Sequence, residues 1–508
     1  MKMLKKSLAV TLCLTMVLSM FTVLSGFSLF GKTITVAFCG SAVNDDRAVI
    51  NAVNDRLKEL GYNFKIKAVW DDWQMAATTQ RLTTGDRNYD LVFTCSWTAD
   101  VFTRFSMDGI FRRLDDPADD LLAQYGAEVK AAVPANLWDA FTLSGPAGTG
   151  IYGIPGYKDF AQMYSWDVNN TMMNELGMDV SDYEWNNASF LEPWFEEALA
   201  AAKAAKGDTF YPLSIENTSV PQYINSELDP TNMGLMTIKF DPTNPALPEK
   251  QQAVFCFDDP DWQAAVAKLQ EFNAKGYIDP RLSIQLEQAD ALTDIRNNAK
   301  YLIGSQTYAF GYDKQASATR GIDSQWPPMS SAIVSTGSAQ GAGFAISTYS
   351  RNPKEAMQFA NLLYTDSAIA TLLAYGVEGT HYEKNDDGTI NTLAPYNDGE
   401  FRPWTNGVGN IFILPPMKDN GPAYYEEYKA YNDAGVNVSA IGFIFDQTAV
   451  ADEIAALTPI STEYMTTILT GAADDALIAT ARERLEAAGI MKVVEEFNSQ
   501  LDAFYAAQ

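Results

Sequence analysis

Apolar and polar residues alternate through 32–38, where Thr33-Ile34-Thr35-Val36-Ala37-Phe38 reads as a β-strand that ends at Cys39-Gly40-Ser41. The period then changes. Over residues 45–60, Val49, Val53, Leu57 and Leu60 share one helical face, and Gly61 closes the helix. Residues 64–70 return to a strand, 73–84 to a helix, and Tyr-Asp-Leu-Val-Phe-Thr at 89–94 to a third strand. A βαβαβ succession is solved most simply by a parallel sheet with helices on its faces. Ligands of such open sheets bind beyond the carboxyl ends of the strands. Three segments then point at one crevice: Cys39-Gly40-Ser41, Asp71-Asp72-Trp73 and Cys95-Ser96-Trp97. Neither GxGxxG nor GxxxxGK[ST] follows the first strand, which disfavours a nucleotide site.

Further along, residues 150–166 form a glycine-broken pair of extended runs, long enough to pass from one lobe to another. Helical patterns at 191–206 and 262–275 build a second α/β lobe, residues 300–304 and 341–347 read as strands, and an amphipathic helix follows at 353–363. Residues 375–420 are rich in turn formers, and helices resume at 423–434, 450–468, 473–488 and 491–504. The chain carries no internal repeat and no low-complexity linker, so its lobes are expected to be tied by several crossings. At 508 residues it exceeds the roughly 250–300 residues at which one core stops growing.

Composition is globular, with 47% hydrophobic and 20% charged residues. A net charge of −28 repels phosphate backbones, so nucleic acid is excluded as a partner. Residues 1–7 hold Lys2, Lys5 and Lys6, and 8–24 form an uncharged apolar run, which together read as an export signal. The run ends in Leu24-Ser25-Gly26-Phe27, where Phe27 stands at the position a lipid-bearing cysteine would take. Three readings follow: ordinary signal cleavage, an uncleaved anchor, or a lipoprotein precursor whose cysteine is changed. Outside Cys13 the chain has Cys39, Cys95 and Cys256, too few and too scattered for a disulfide framework or a metal site, and His381 has no ligand partner in the pattern. Asp386-Asp387-Gly388 lacks the alternating ligands of a calcium loop and reads as a turn. Neither a metal nor a cofactor is expected.

The order of several segments resembles the family 1 extracellular solute-binding proteins of ATP-driven importers. They are Ile34-Thr35-Val36-Ala37-Phe38, Leu82 through Phe93, Ile151-Tyr152-Gly153-Ile154-Pro155, and Gly343-Phe344-Ala345-Ile346-Ser347 leading to Asn352-Pro353-Lys354-Glu355-Ala356. The tail, from Tyr375-Gly376-Val377-Glu378-Gly379-Thr380-His381-Tyr382 to Ile441-Gly442-Phe443-Ile444-Phe445-Asp446, resembles the C-terminal extension of a lipoprotein subgroup linked to complex-carbohydrate uptake. The missing lipobox cysteine departs from that subgroup, and the resemblance favours the third reading of the signal. It implies a periplasmic-binding-protein-like α/β fold of two lobes joined by a three-crossing hinge. Lobe 1 would hold residues 32–155 plus 310–375, and lobe 2 residues 156–309 plus 376–508, after an export segment at 1–31. It further implies a monomer at the outer face of a bacterial membrane that binds a sugar or oligosaccharide, closes around it, and delivers it to the permease of an ABC transporter.

Aromatic residues make up 12% of the chain, and sugar rings present C–H faces that pack on aromatic rings while their hydroxyls need donors and acceptors. The candidate ligand-binding residues are Ser41, Trp73, Ser96, Trp97, Tyr157, Trp166, Gln222, Tyr223, Trp326 and Trp404, with Trp97 and Trp404 expected to clamp from opposite lobes. Catalytic residues are not expected. The alternatives are a secreted carbohydrate-active hydrolase, which needs a spaced carboxylate pair, and a structural or adhesive surface protein, which would show repeats or sandwich-like strand spacing. Among adjacent carboxylates, Asp71-Asp72 is the best placed, and it reads as a helix cap or a hydroxyl partner.

Overall fold

A computed structural model describes residues 31–40, 43, 46–97, 101–241 and 252–507. The export segment with Phe27, and the candidate Ser41, lie outside the described residues. The strands that organise the chain are β1 (Lys32–Cys39), β2 (Phe64–Asp71), β3 (Leu91–Thr94), β4 (Ile154–Pro155), β5 (Met163–Asn169), β6 (Leu213–Ser214), β7 (Ile303–Tyr308), β8 (Ser324–Gln325), β9 (Ile333–Val334), β10 (Gly343–Ile346) and β11 (Val436–Asn437).

The first sheet has the order β2-β1-β3-β10-β4. β1 runs parallel to β2 from Lys32 opposite Phe64 to Cys39 opposite Asp71, and parallel to β3. The returning strand β10 is antiparallel to both β3 and β4, so the sheet is parallel only over its first three strands. Helix Arg47–Glu59 covers it with Val49, Val53 and Leu57 buried, the i, i+4, i+8 face that the sequence pattern defines. The next helix spans Ala76–Thr83 and begins three residues later than the pattern suggests, because Asp72 accepts hydrogen bonds from the Gln74 and Ala76 amides and holds 72–75 in a turn. Trp73 is thereby presented outside the helix.

The second sheet has the order β6-β7-β5-β8, with β7 and β8 both antiparallel to β5. Two hydrophobic cores accompany the two sheets. Phe38, Phe93, Phe344 and Phe359 belong to one, and Trp166, Tyr223, Phe195 and Leu269 to the other.

Three segments pass between the cores. Gln162 pairs with Ile333, and β9 pairs in turn with β11, so all three crossings lie side by side. Packing departs from the expected division at two places. Helix Tyr312–Arg320 leads into β8 of the second sheet, whereas the resemblance places residues from 310 in the first lobe. Tyr382, Tyr396, Ile411, Leu414 and Tyr428 pack in the first core, whereas the resemblance places everything after 375 in the second lobe. The turn-rich stretch has no period from which to read its partner, and its aromatic side chains found the first core. The chain enters the second core again at Val438.

Among the described residues, no helix is long and apolar enough to cross a membrane. His381 is buried, its Nδ1 accepts from the Val377 amide at 3.0 Å, and its ring stands edge-on to Phe401. Asp387 accepts from the amide and hydroxyl of Thr389 and closes the turn between Tyr382–Lys384 and Ile390–Thr392. Cys39 and Cys95 lie at the ends of neighbouring strands, and burial, then the proximity of Cys95, Asp71 and Asp72, pushes the Cys39 thiol up and keeps it a poor nucleophile.

Candidate functional site

A cleft of about 570 Å³ lies between the lobes. Its first-lobe wall begins where β3 ends. Ser96 is pinned by its amide to the Gln340 carbonyl (3.0 Å) and by its hydroxyl to the Gly337 carbonyl (2.8 Å). The Trp97 indole then donates to the Gly341 carbonyl at 2.7 Å, which fixes the plane of a ring that is still 42% exposed. Trp73 arrives from the turn after β2 and is 44% exposed. Trp404 comes from the loop before Thr405–Gly407 and stands edge-on to both, with ring centroids 5.3 Å from Trp73 and 5.9 Å from Trp97, and Phe93 supports it from beneath at 5.8 Å. Three tryptophans therefore form one aromatic surface, with two of them open to solvent.

Below this surface lies an ion pair. Lys158 is bonded to Asp159, both side chains are almost wholly buried, and the Lys158 ammonium lies 5.7 Å from the Trp404 ring centroid. The other Asp159 oxygen accepts from the Tyr312 hydroxyl, and burial together with the Asp159 charge pushes that phenol up, so it remains a donor. Asn432 ties the same segment to the third crossing, accepting from the Ala161 amide and donating to the Lys158 carbonyl. The second-lobe wall includes Tyr164, Glu227, Leu228, Asp229 and Phe443. Asp229 is buried and accepts from the amides of Thr231, Leu235 and Met236, so it shapes the wall by holding a loop.

The structure thus brings together Trp73, Ser96, Trp97 and Trp404. It does not bring the other described candidates there. Trp166 is fully buried in the second core, packed on Tyr223 and Phe195, with its indole donating to the Asn186 carbonyl. Tyr223 is stacked between Trp166 and Phe190, and Gln222 is buried beside it on helix Ser219–Tyr223. Tyr157 is buried against Phe160 and Phe412. Trp326 donates to the Ser324 hydroxyl and packs on Tyr308, away from the cleft lining. Trp404 packs on the first core, as Trp97 does through Phe93, so these two rings share one wall and do not clamp from opposite lobes. Lys158, Asp159, Tyr312 and Phe443 were missed. The only signal was a charge pair set inside the glycine-broken crossing run at 156–160.

The carboxylates of Asp71 and Asp72 are engaged with backbone. Asp71 is buried and accepts from the Thr78 amide at 2.7 Å and the Asp72 amide at 2.9 Å. An Asp71→Ala change leaves the Thr78 amide buried without its partner and should lower stability by about 1–3 kcal/mol, read from urea unfolding. Full stability in that variant would mean the cap contributes nothing.

With this geometry in view, the fold is that of the periplasmic-binding-protein-like solute-binding proteins: two α/β lobes, three crossing segments, and a cleft between. Among solved structures, the N-glycan transport solute-binding protein NgtS of Streptococcus pneumoniae superposes with a TM-score of 0.76 at 22% identity, covering 93% of this chain and 99% of that one. Its complex with Man5GlcNAc superposes with a TM-score of 0.71 at 22% identity, covering 94% and 99%. In sequence, the chain is 24% identical over 470 residues, 91% of its length, to a carbohydrate ABC transporter substrate-binding protein of Streptococcus pneumoniae serotype 4, of which 88% is covered. Residues 439–506 match a family described as "Domain of unknown function (DUF3502)".

Proposed function

We propose that this protein is the substrate-binding component of a carbohydrate ABC importer, working as a monomer on the outer face of the cell membrane. It captures a sugar or oligosaccharide between its lobes, closes on it, and hands it unchanged to the permease. The observation that carries this reading is the tryptophan surface on one wall of an interlobe cleft, where Trp97 and Trp404 line the space and Trp73 packs edge-on to Trp404 beside them. Aromatic faces left open to water in a concave site take apolar ring faces, and the polar groups around them orient hydroxyls. The names of the relatives support a carbohydrate as ligand and a permease as partner.

Binding to the native state alone must raise apparent stability, by about 2.7 kcal/mol at a ligand concentration of 100 Kd. A thermal-shift screen with Man5GlcNAc, kestose, single hexoses and short peptides should therefore show a rise in Tm with a neutral carbohydrate. Small-angle scattering with that carbohydrate should show a smaller radius of gyration, since contacts to both lobes favour the closed form. Shifts with peptides alone, or release of a cleaved sugar during incubation, would overturn the reading.

A further inference from the structure

We infer that Leu228 is the apolar contact the second lobe makes with bound carbohydrate, so that a sugar ring resting on the tryptophan wall is covered on its other face by this leucine as the lobes close. The inference rests on the carbohydrate-binding reading above. Leu228 lines the same cleft as Trp97 and Trp404, and 54% of it is exposed. A single exposed leucine on an outer surface is ordinary. This one stands inside the cleft and on the opposite lobe from the tryptophans, since Ile224 before it and Met233 after it belong to the second core.

The residues that follow make its backbone rigid. Leu228 opens the loop between the antiparallel strands Ser226–Glu227 and Met236–Lys239. Asp229-Pro230-Thr231-Asn232 has the residues a β-turn favours, with aspartate first and proline fixing φ at the second position. The Asn232 amide closes that turn on the Asp229 carbonyl at 2.9 Å, with Asn232 at a φ of +58°, a conformation asparagine tolerates. The Asp229 carboxylate holds the rest of the loop. One oxygen accepts from the amide and hydroxyl of Thr231 at 2.8 and 2.7 Å, and the other from the amides of Leu235 and Met236 at 2.9 and 3.3 Å. Both ends are also tied to the body of the lobe, where the Tyr164 hydroxyl donates to the Ser226 carbonyl at 2.8 Å and the Ser461 hydroxyl to the Met233 carbonyl at 2.7 Å. Met233 and Leu235 are buried in the second core, whereas Leu228 is left standing in the cleft.

A ring stacked on tryptophan has a second face of C–H groups, and leaving it in water forfeits its burial. A leucine carried on a preformed loop covers that face with little ordering cost. Because its surface is more than half uncovered and it belongs to the lobe opposite the tryptophans, Leu228 completes its contact only as the lobes approach. It therefore adds to the affinity of the closed form alone, which is what a ligand needs in order to shift the equilibrium towards closure. Its loss should speed release and leave first encounter, on the tryptophan wall, unchanged.

Calorimetry and stopped-flow tryptophan fluorescence on the full chain test this, with Man5GlcNAc and kestose as probes. Leu228→Ala should bind the tighter probe about five- to tenfold more weakly, the loss expected when the exposed part of a leucine no longer becomes buried. The change should fall on the dissociation rate, with the association rate and the ligand-free Tm as in the wild type. Leu228→Met keeps the apolar surface and should stay close to wild-type affinity. Unchanged affinity in Leu228→Ala would overturn the role of Leu228 and leave the carbohydrate reading standing. A loss that comes with a lower ligand-free Tm, or that Leu228→Met shares in full, would make Leu228 a structural residue and overturn the inference as well. If the wild type binds neither probe nor a single hexose, the carbohydrate reading and this inference fall together.

Discussion

Trp404→Ala is expected to weaken carbohydrate binding by about 2–3 kcal/mol, roughly 30- to 150-fold, the largest loss of any single side chain in the cleft. Trp404 is the hub of the aromatic wall, since Trp73 and Trp97 both stand edge-on to it and the Lys158 ammonium lies near its face. Its seat depends on two glycines. A Cβ on Gly40 would lie 3.2 Å from the Trp404 Cβ, at a backbone φ of +134° that side-chain-bearing residues avoid, and one on Gly407 would lie 2.9 Å from the indole. Removing the indole therefore deletes a contact surface and also frees Trp73 and Trp97 to reorient. Trp97→Ala should lose less, about 1–2 kcal/mol, because its ring is open on one side and the remaining two tryptophans keep their places. Titration calorimetry of the two variants decides the order, and equal losses would show that Trp404 has no organising role.

The largest effect on stability is expected at a site that touches no ligand. Asp167 is buried at the centre of β5 and accepts from Tyr301, Ser324 and Arg320, whose guanidinium lies across both carboxylate oxygens at 2.8 and 2.9 Å. Arg320→Ala strands the carboxylate in the second core and should cost about 3–5 kcal/mol. Joint replacement of the pair by Arg320→Met and Asp167→Leu should cost far less, because burying two charges carries a desolvation penalty that their attraction only partly offsets. Urea unfolding of the single and joint variants, followed by tryptophan fluorescence, measures both. A single variant within 1 kcal/mol of wild type would show that water reaches the carboxylate and solvates it.

The sequence by itself determined the local elements and the direction of the crevice. Val49, Val53 and Leu57 recur at helical spacing and are buried on one face, and the ends of β2 and β3 deliver Trp73, Ser96 and Trp97 to one place because parallel neighbours end at the same edge. Which tryptophans stay open was decided by the tertiary structure alone. Trp97 follows a strand and Trp166 lies inside one, yet Trp166 is covered by Phe195 and Tyr223 from later in the chain, while Trp97 stays 42% exposed. The same holds for the turn-rich stretch around Trp404, which carries no period and joined the first core through contacts with residues some 300 positions earlier, Phe93 among them. Periodicity is written within a dozen residues and survives in the sequence, whereas burial depends on which distant surface closes over a side chain, and that is settled only when the whole chain packs.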